Sequence, residues 1–154
     1  MSFLPLIHEL EISNLNKNIK MRRGKIHQGD TFSLSYINSL YRVPQIEYFK
    51  IDGQYRIVVM KQAFGSLEAA AYYDPNPQSG LYFNRLGKMY EIDNINVVID
   101  SLRLRIGYTT NQVLNIWDQR IVILNIGKAG DVLLFQIKKK SLIGYCLEKM
   151  RSYL

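Results

Sequence analysis

FSLSYINSLYRVPQIEYFKIDG, residues 32–53, reads as two β-strands folded about a polar bend. Phe32, Leu34 and Tyr36 alternate with Ser33 and Ser35, the period of two that marks a strand with one wet face. Pro44 has no N–H to donate and holds Val43 in extended or turn geometry, so the chain bends there. QIEYFKI resumes the strand pattern, Asp52-Gly53 predicts a tight hairpin turn, and QYRIVVMKQAF pairs back from it. The spacing therefore predicts an antiparallel hairpin over residues 45–63.

Upstream, LPLIHELEI reads as a short strand with Leu10 and Ile12 on one face. The polar run 13–30 reads as turns at Gly24 and Gly29-Asp30. Downstream, SLEAAAYY opens with a helical turn and leads into a Pro, Asn and Ser-rich loop through residues 74–80. A short strand follows at LYF, then a hairpin or crossover through GKMYEIDN. INVVIDSLRLRIGY holds two apolar runs about Asp100-Ser101. NQVLNIW, RIVILNI and DVLLFQIKK read as three strands spaced about ten residues apart, the interval of a sandwich or barrel. The tail, SLIGYCLEKMRSYL, reads as a helix or as a last strand. These patterns predict an all-β chain: an antiparallel two-layer sandwich or partly open barrel of about 8–10 strands, with a short C-terminal helix as an option. Residues 1–154 form one domain in this reading, with 1–9 and 141–154 as peripheral ends.

The single Cys146 rules out an intrachain disulfide and a cysteine-rich metal site. The first ten residues lack the basic start and long apolar stretch of an export signal. Net charge +7 permits an anionic partner. Two clusters stand out among the cations, Lys17, Lys20, Arg22, Arg23 and Lys25, and Lys138, Lys139 and Lys140, beside turns and strand ends where they are easily solvated. No nucleic-acid motif accompanies them, so nucleic acid is disfavoured as a partner. His8 and His27 stand apart, and no two-histidine spacing suggests a metal. Ser39 and Cys146 have no histidine near them in sequence to act as base. Six aspartates, Asp30, Asp52, Asp74, Asp100, Asp118 and Asp131, fall in turns, where the side chain bonds to backbone just ahead. No catalytic residue, metal or cofactor is expected on these grounds. The candidate polar cluster is Asn38, Ser39, Tyr41, Glu47, Glu68 and Tyr72, with Asn38 and Glu47 forming a latch around Pro44.

Asn38-Ser39, Pro44, Glu47 and the following IVVMKQAFGS resemble the small bacterial and archaeal domain family DUF1850. LRLRIGYTT and GDVLLFQI extend the likeness over most of residues 10–138. Members have a His-Ser pair, a Pro five residues beyond the Ser, then a Glu. Here Ser39, Pro44 and Glu47 match, while Asn38 replaces the His, Tyr41 the acidic residue after the pair, and EAAAYY the glycine-rich turn. An amide cannot take up a proton near neutral pH. The resemblance implies a non-catalytic, extracytoplasmic accessory or binding module linked to solute transport, membrane-anchored in its full-length form. Its partners would be a membrane transporter component or solute receptor, with a small-molecule ligand as a further option. The rival readings are a small hydrolase-like enzyme using Glu47 and Glu68, a structural protein-interaction domain, and a cytoplasmic location.

Overall fold

A computed structural model describes residues 6–74, 82–84 and 88–151. Twelve strands, two α-helices and one 3-10 turn run along them. In chain order they are β1 (Leu6–Asn14), β2 (Ile19–Lys25), β3 (Thr31–Ile37), β4 (Pro44–Ile51), β5 (Ile57–Phe64), α1 (Leu67–Tyr73) and β6 (Tyr82–Asn84). There follow β7 (Met89–Ile92), β8 (Val97–Ile99), β9 (Leu102–Arg105), β10 (Val113–Ile116), β11 (Gln119–Val122), the 3-10 turn Ile123–Asn125, β12 (Val132–Ser141) and α2 (Leu142–Arg151).

Two antiparallel sheets form the layers. The smaller is ordered β2-β1-β12-β9 and the larger β11-β10-β3-β4-β5-β7-β6, with β8 also pairing with β5. Leu10, Ile12, Leu133 and Phe135 from the first sheet face Phe32, Leu34, Phe49, Ile51, Ile57 and Leu114 from the second. Each such side chain taken from water contributes about 1.5–3 kcal/mol before the cost of ordering it. A second, smaller cluster joins Phe64 and Ile92 to Ala69 and Ala70 of α1. Ser66 caps α1, its Oγ accepting from the Ala69 N–H at 3.2 Å. The helix stops at Asp74, which the following Pro75 keeps extended.

The all-β sandwich expected from the alternation is present, and the last segment is the helix of the two options. Local details differ. The β4–β5 connection is a five-residue loop, because Ile51 pairs with Ile57. Asp52 organises it: Oδ1 accepts from the Gln54 and Arg56 N–H groups at 2.9 and 2.8 Å. Tyr55, not Gly53, takes the left-handed conformation, at φ +58. The polar run 13–30 contains the edge strand β2, whose cations reach solvent from the sheet margin and so hide the strand pattern. RIVILNI splits into β11 and the 3-10 turn. The two halves of INVVIDSLRLRIGY, β8 and β9, go to different sheets. The loop expected over residues 74–80, and the start of LYF at Leu81, lie outside the described residues beyond Asp74.

β10 and β11 are joined by Trp117-Asp118, both at positive φ, +53 and +55, which is the two-residue hairpin geometry. The Trp117 ring crosses to the other sheet, where its Nε1–H donates to the Lys25 carbonyl at 3.0 Å. Gly24 makes room for the ring, since a Cβ there would stand 2.6 Å from it.

Candidate functional site

The strand registers assemble the polar cluster. Tyr36 of β3 lies opposite Gln45 of β4, and Glu47 lies opposite Leu34 on one side and Gln62 of β5 on the other. These side chains share the inward face with Phe32, Phe49 and Phe64, by the two-residue period. Polar groups thus sit on the core side of the large sheet, between the main core and the cluster under α1.

Glu47 Oε1 accepts from three side chains: Tyr36 Oη at 3.1 Å, Gln62 Nε2 at 3.1 Å and Gln45 Nε2 at 3.3 Å. Burial pushes the Glu47 carboxyl above the usual carboxylate range, and the three donors pull it part of the way back. Tyr36 is raised above the usual phenol value, first by burial and then by the Glu47 charge beside it. Tyr36 therefore stays protonated and acts as a donor.

Asn38 ends β3 and closes the bend. Its Oδ1 accepts from the Leu40 and Tyr41 N–H groups at 3.0 and 2.9 Å. Its N–H donates to the Val43 carbonyl, and its carbonyl accepts from the Arg42 N–H, both at 2.8 Å. Its Nδ2 donates to Gln45 Oε1 at 2.7 Å, with both residues buried. The expected latch is therefore a relay: Asn38 to Gln45, Gln45 to Glu47. Gly65 fits against Pro44, where a Cβ would meet the proline Cδ at 2.8 Å, so the start of α1 is drawn close to the bend.

Tyr41 and Tyr72 also meet, with ring centroids 5.7 Å apart, and Tyr72 contacts Tyr73 edge-on at 5.0 Å. Tyr73 in turn stacks on Phe64 at 5.4 Å. This aromatic chain joins the bend to α1. Around it Leu40, Leu67 and Tyr72 are exposed. Ser39 and Glu68 are exposed, and their side chains make no hydrogen bond or ion pair among the described residues. Glu68 sits in the first turn of α1.

Of the candidate residues, the structure thus joins Asn38 with Glu47 through Gln45, and Tyr41 with Tyr72. It leaves Ser39 and Glu68 apart from both groups. Gln45 and Gln62 complete the network and were not singled out from sequence. For Gln45 the signal was present, since it falls two residues before Glu47 on the same face; Gln62 comes opposite Glu47 only through the one-residue register shift between Tyr48 and Phe49.

The histidines are engaged elsewhere. His8 stacks on Tyr55 with ring centroids 3.5 Å apart. His27 Nδ1 lies 3.4 Å from Asp30 Oδ2. Burial, and next Lys139, lower the His8 pKa. Among the described residues, no group of three His, Cys, Asp or Glu side chains is placed to hold a metal ion. No described helix is long and apolar enough to cross a membrane.

Among the described residues, clefts open on the larger sheet and on the loops that join it to β2. One of about 690 Å³ is lined by Lys25, His27, Asp30, Asn115, Trp117 and Arg120, among others. A second, about 360 Å³, lies over Tyr48, Met60 and Lys61, and a third, about 510 Å³, over Lys50, Val58 and Asn96. None is lined by Asn38, Ser39, Tyr41, Glu47, Glu68 or Tyr72. No family model, curated protein or solved structure matches the chain.

Proposed function

We propose that the chain is a non-catalytic binding module that docks a protein partner at the end of the sandwich carrying residues 38–43 and α1. The observation that carries this reading is the engagement of Glu47 Oε1 by three side-chain donors. A general base or nucleophile needs a free lone pair aimed at substrate. Here the Oε1 lone pairs hold neighbouring strands in register, and Glu47 lines none of the three clefts. The network fixes a surface on which Leu40, Leu67 and Tyr72 are exposed around Tyr41. Aromatic and leucine side chains on a rigid frame suit a protein contact, because they lose little entropy on binding.

The finer reading comes from the resemblance of residues 32–53 and 57–66 to DUF1850: an extracytoplasmic accessory whose partner is a membrane transporter component or a solute receptor. A photo-crosslinking amino acid at position 40 or 72 tests it in intact cells, with position 56, in the loop at the other end of β4, as control. Crosslinks to such a partner from 40 and 72 but not from 56 are expected. Equal labelling from all three, or none, overturns the proposal.

A small-molecule ligand is the second reading, favoured by the cleft of about 690 Å³ beside Trp117. A solute bound there would change the emission of Trp117, the one tryptophan of the chain.

A further inference from the structure

A surface helix of a globular protein ordinarily turns its apolar stripe toward the core. α2 does the reverse. Ile143, Leu147 and Met150 recur at steps of four and three, which places them on one face. They are 56%, 55% and 67% exposed. Tyr145, on the other side of the helix, faces the protein, and the Lys25 ammonium of β2 lies 4.9 Å from its ring centroid.

The sheet beside this helix is basic. Leu10 and Ile12 of β1 point into the core, so alternation places Glu9 and Glu11 on the opposite face. The registers add Lys138 and Lys140 of β12 and Lys20 and Lys25 of β2 to that face. Lys140 pairs with Glu9 at 2.8 Å and Lys20 with Glu11 at 2.9 Å. Both acids are therefore paired, and among the described residues of this face Lys25 and Lys138 have no carboxylate partner. The two basic clusters of the sequence, far apart in the chain, meet on one sheet across β1.

We infer that α2 and the basic face beside it form a docking surface for an anionic lipid bilayer. Ile143, Leu147 and Met150 enter the boundary between headgroups and acyl chains, and the lysines meet anionic headgroups. Nucleic acid would satisfy the lysines but leave the apolar stripe in water. A second copy of the chain would cover the stripe but bring two positive faces together, in a protein of net charge +7. Only an anionic apolar surface satisfies both features. This inference does not rest on the proposed partner of the residue 38–43 region.

The test is co-sedimentation of the full chain with vesicles of phosphatidylcholine alone and of phosphatidylcholine mixed with phosphatidylglycerol. Binding should be about tenfold or more stronger on the mixed vesicles and should weaken as salt is added. Ile143→Ser combined with Leu147→Ser should reduce it by at least about tenfold. The thermal midpoint should stay unchanged, because both side chains already face water. Lys25→Gln with Lys138→Gln should remove the preference for the anionic vesicles. Equal binding to both vesicle types, or full binding by the Ser variant, overturns the inference. So does a concentration-dependent dimer that the Ser variant abolishes, or tighter binding to duplex nucleic acid that the Ser variant leaves intact.

Discussion

Tyr36 Oη donates to Glu47 Oε1 at 3.1 Å from the neighbouring strand, and the carboxylate that accepts it is held on the core side of the sheet. Burial raises the pKa of both groups. A carboxylate in this position costs stability as an ion and gives register as an acceptor.

The first prediction concerns pH. Because the folded Glu47 carboxyl lies above its unfolded value, its ionisation weakens the fold. Stability should decline as pH rises from the usual glutamate value through the higher folded one. Asp131 has the opposite sign. Its carboxylate is held below the usual range by the Lys128 N–H, then by Asn14, with Lys17 contributing. Its contribution is present above the usual aspartate value and is lost as pH falls through the folded one. Denaturant midpoints measured across the acidic range should fall at both ends, and Glu47→Gln should flatten only the upper limb.

The second prediction concerns the relay. Asn38 and Gln45, bonded at 2.7 Å and buried, should show a coupling energy of about 0.5–3 kcal/mol in a double-mutant cycle of Asn38→Ala and Gln45→Ala. The Asn38 and Glu47 pair, which share Gln45 but no bond, should couple more weakly. Purely additive losses for Asn38 and Gln45 would show that their mutual bond adds nothing to the hold that Asn38 Oδ1 and the backbone already have on the bend.

The third tests the joint between sheets. Gly24→Ala would place a Cβ 2.6 Å from the Trp117 ring. Displacing the indole should cost about 1–3 kcal/mol, as overpacking does. It should also shift Trp117 emission toward that of a water-exposed indole. An unchanged spectrum would mean that the ring is not seated on Gly24.

The sandwich was legible in sequence because Phe32, Leu34 and Tyr36, and later Leu102 and Leu104, follow the strand period without interruption. The latch residues Asn38 and Glu47 were legible because Pro44 fixes where the bend must fall. Two things were not. β2 carries Lys20, Arg22 and Lys25, which an edge strand tolerates because their charges reach water, so composition masks it. The second was Gln62, the donor from β5. Its place depends on the β4–β5 register, which closes through five residues organised by Asp52 rather than through a two-residue Asp-Gly turn and then shifts by one between Tyr48 and Phe49. In α2, helical spacing was visible, but which face met solvent was not. On the protein side Tyr145 meets Lys25, a contact between residues distant in the chain.

The most direct test of Glu47 as a structural acceptor rather than a catalytic group is equilibrium urea unfolding of Glu47→Gln and Glu47→Ala at neutral pH. Glutamine keeps an oxygen for Tyr36, Gln45 and Gln62 and removes the buried charge, so its stability should equal or exceed that of the parent chain. Alanine leaves three donors without their acceptor and should lose about 1–3 kcal/mol. If Glu47→Gln were as damaging as Glu47→Ala, the charge itself would be what the site requires, and the structural account of Glu47 would be contradicted.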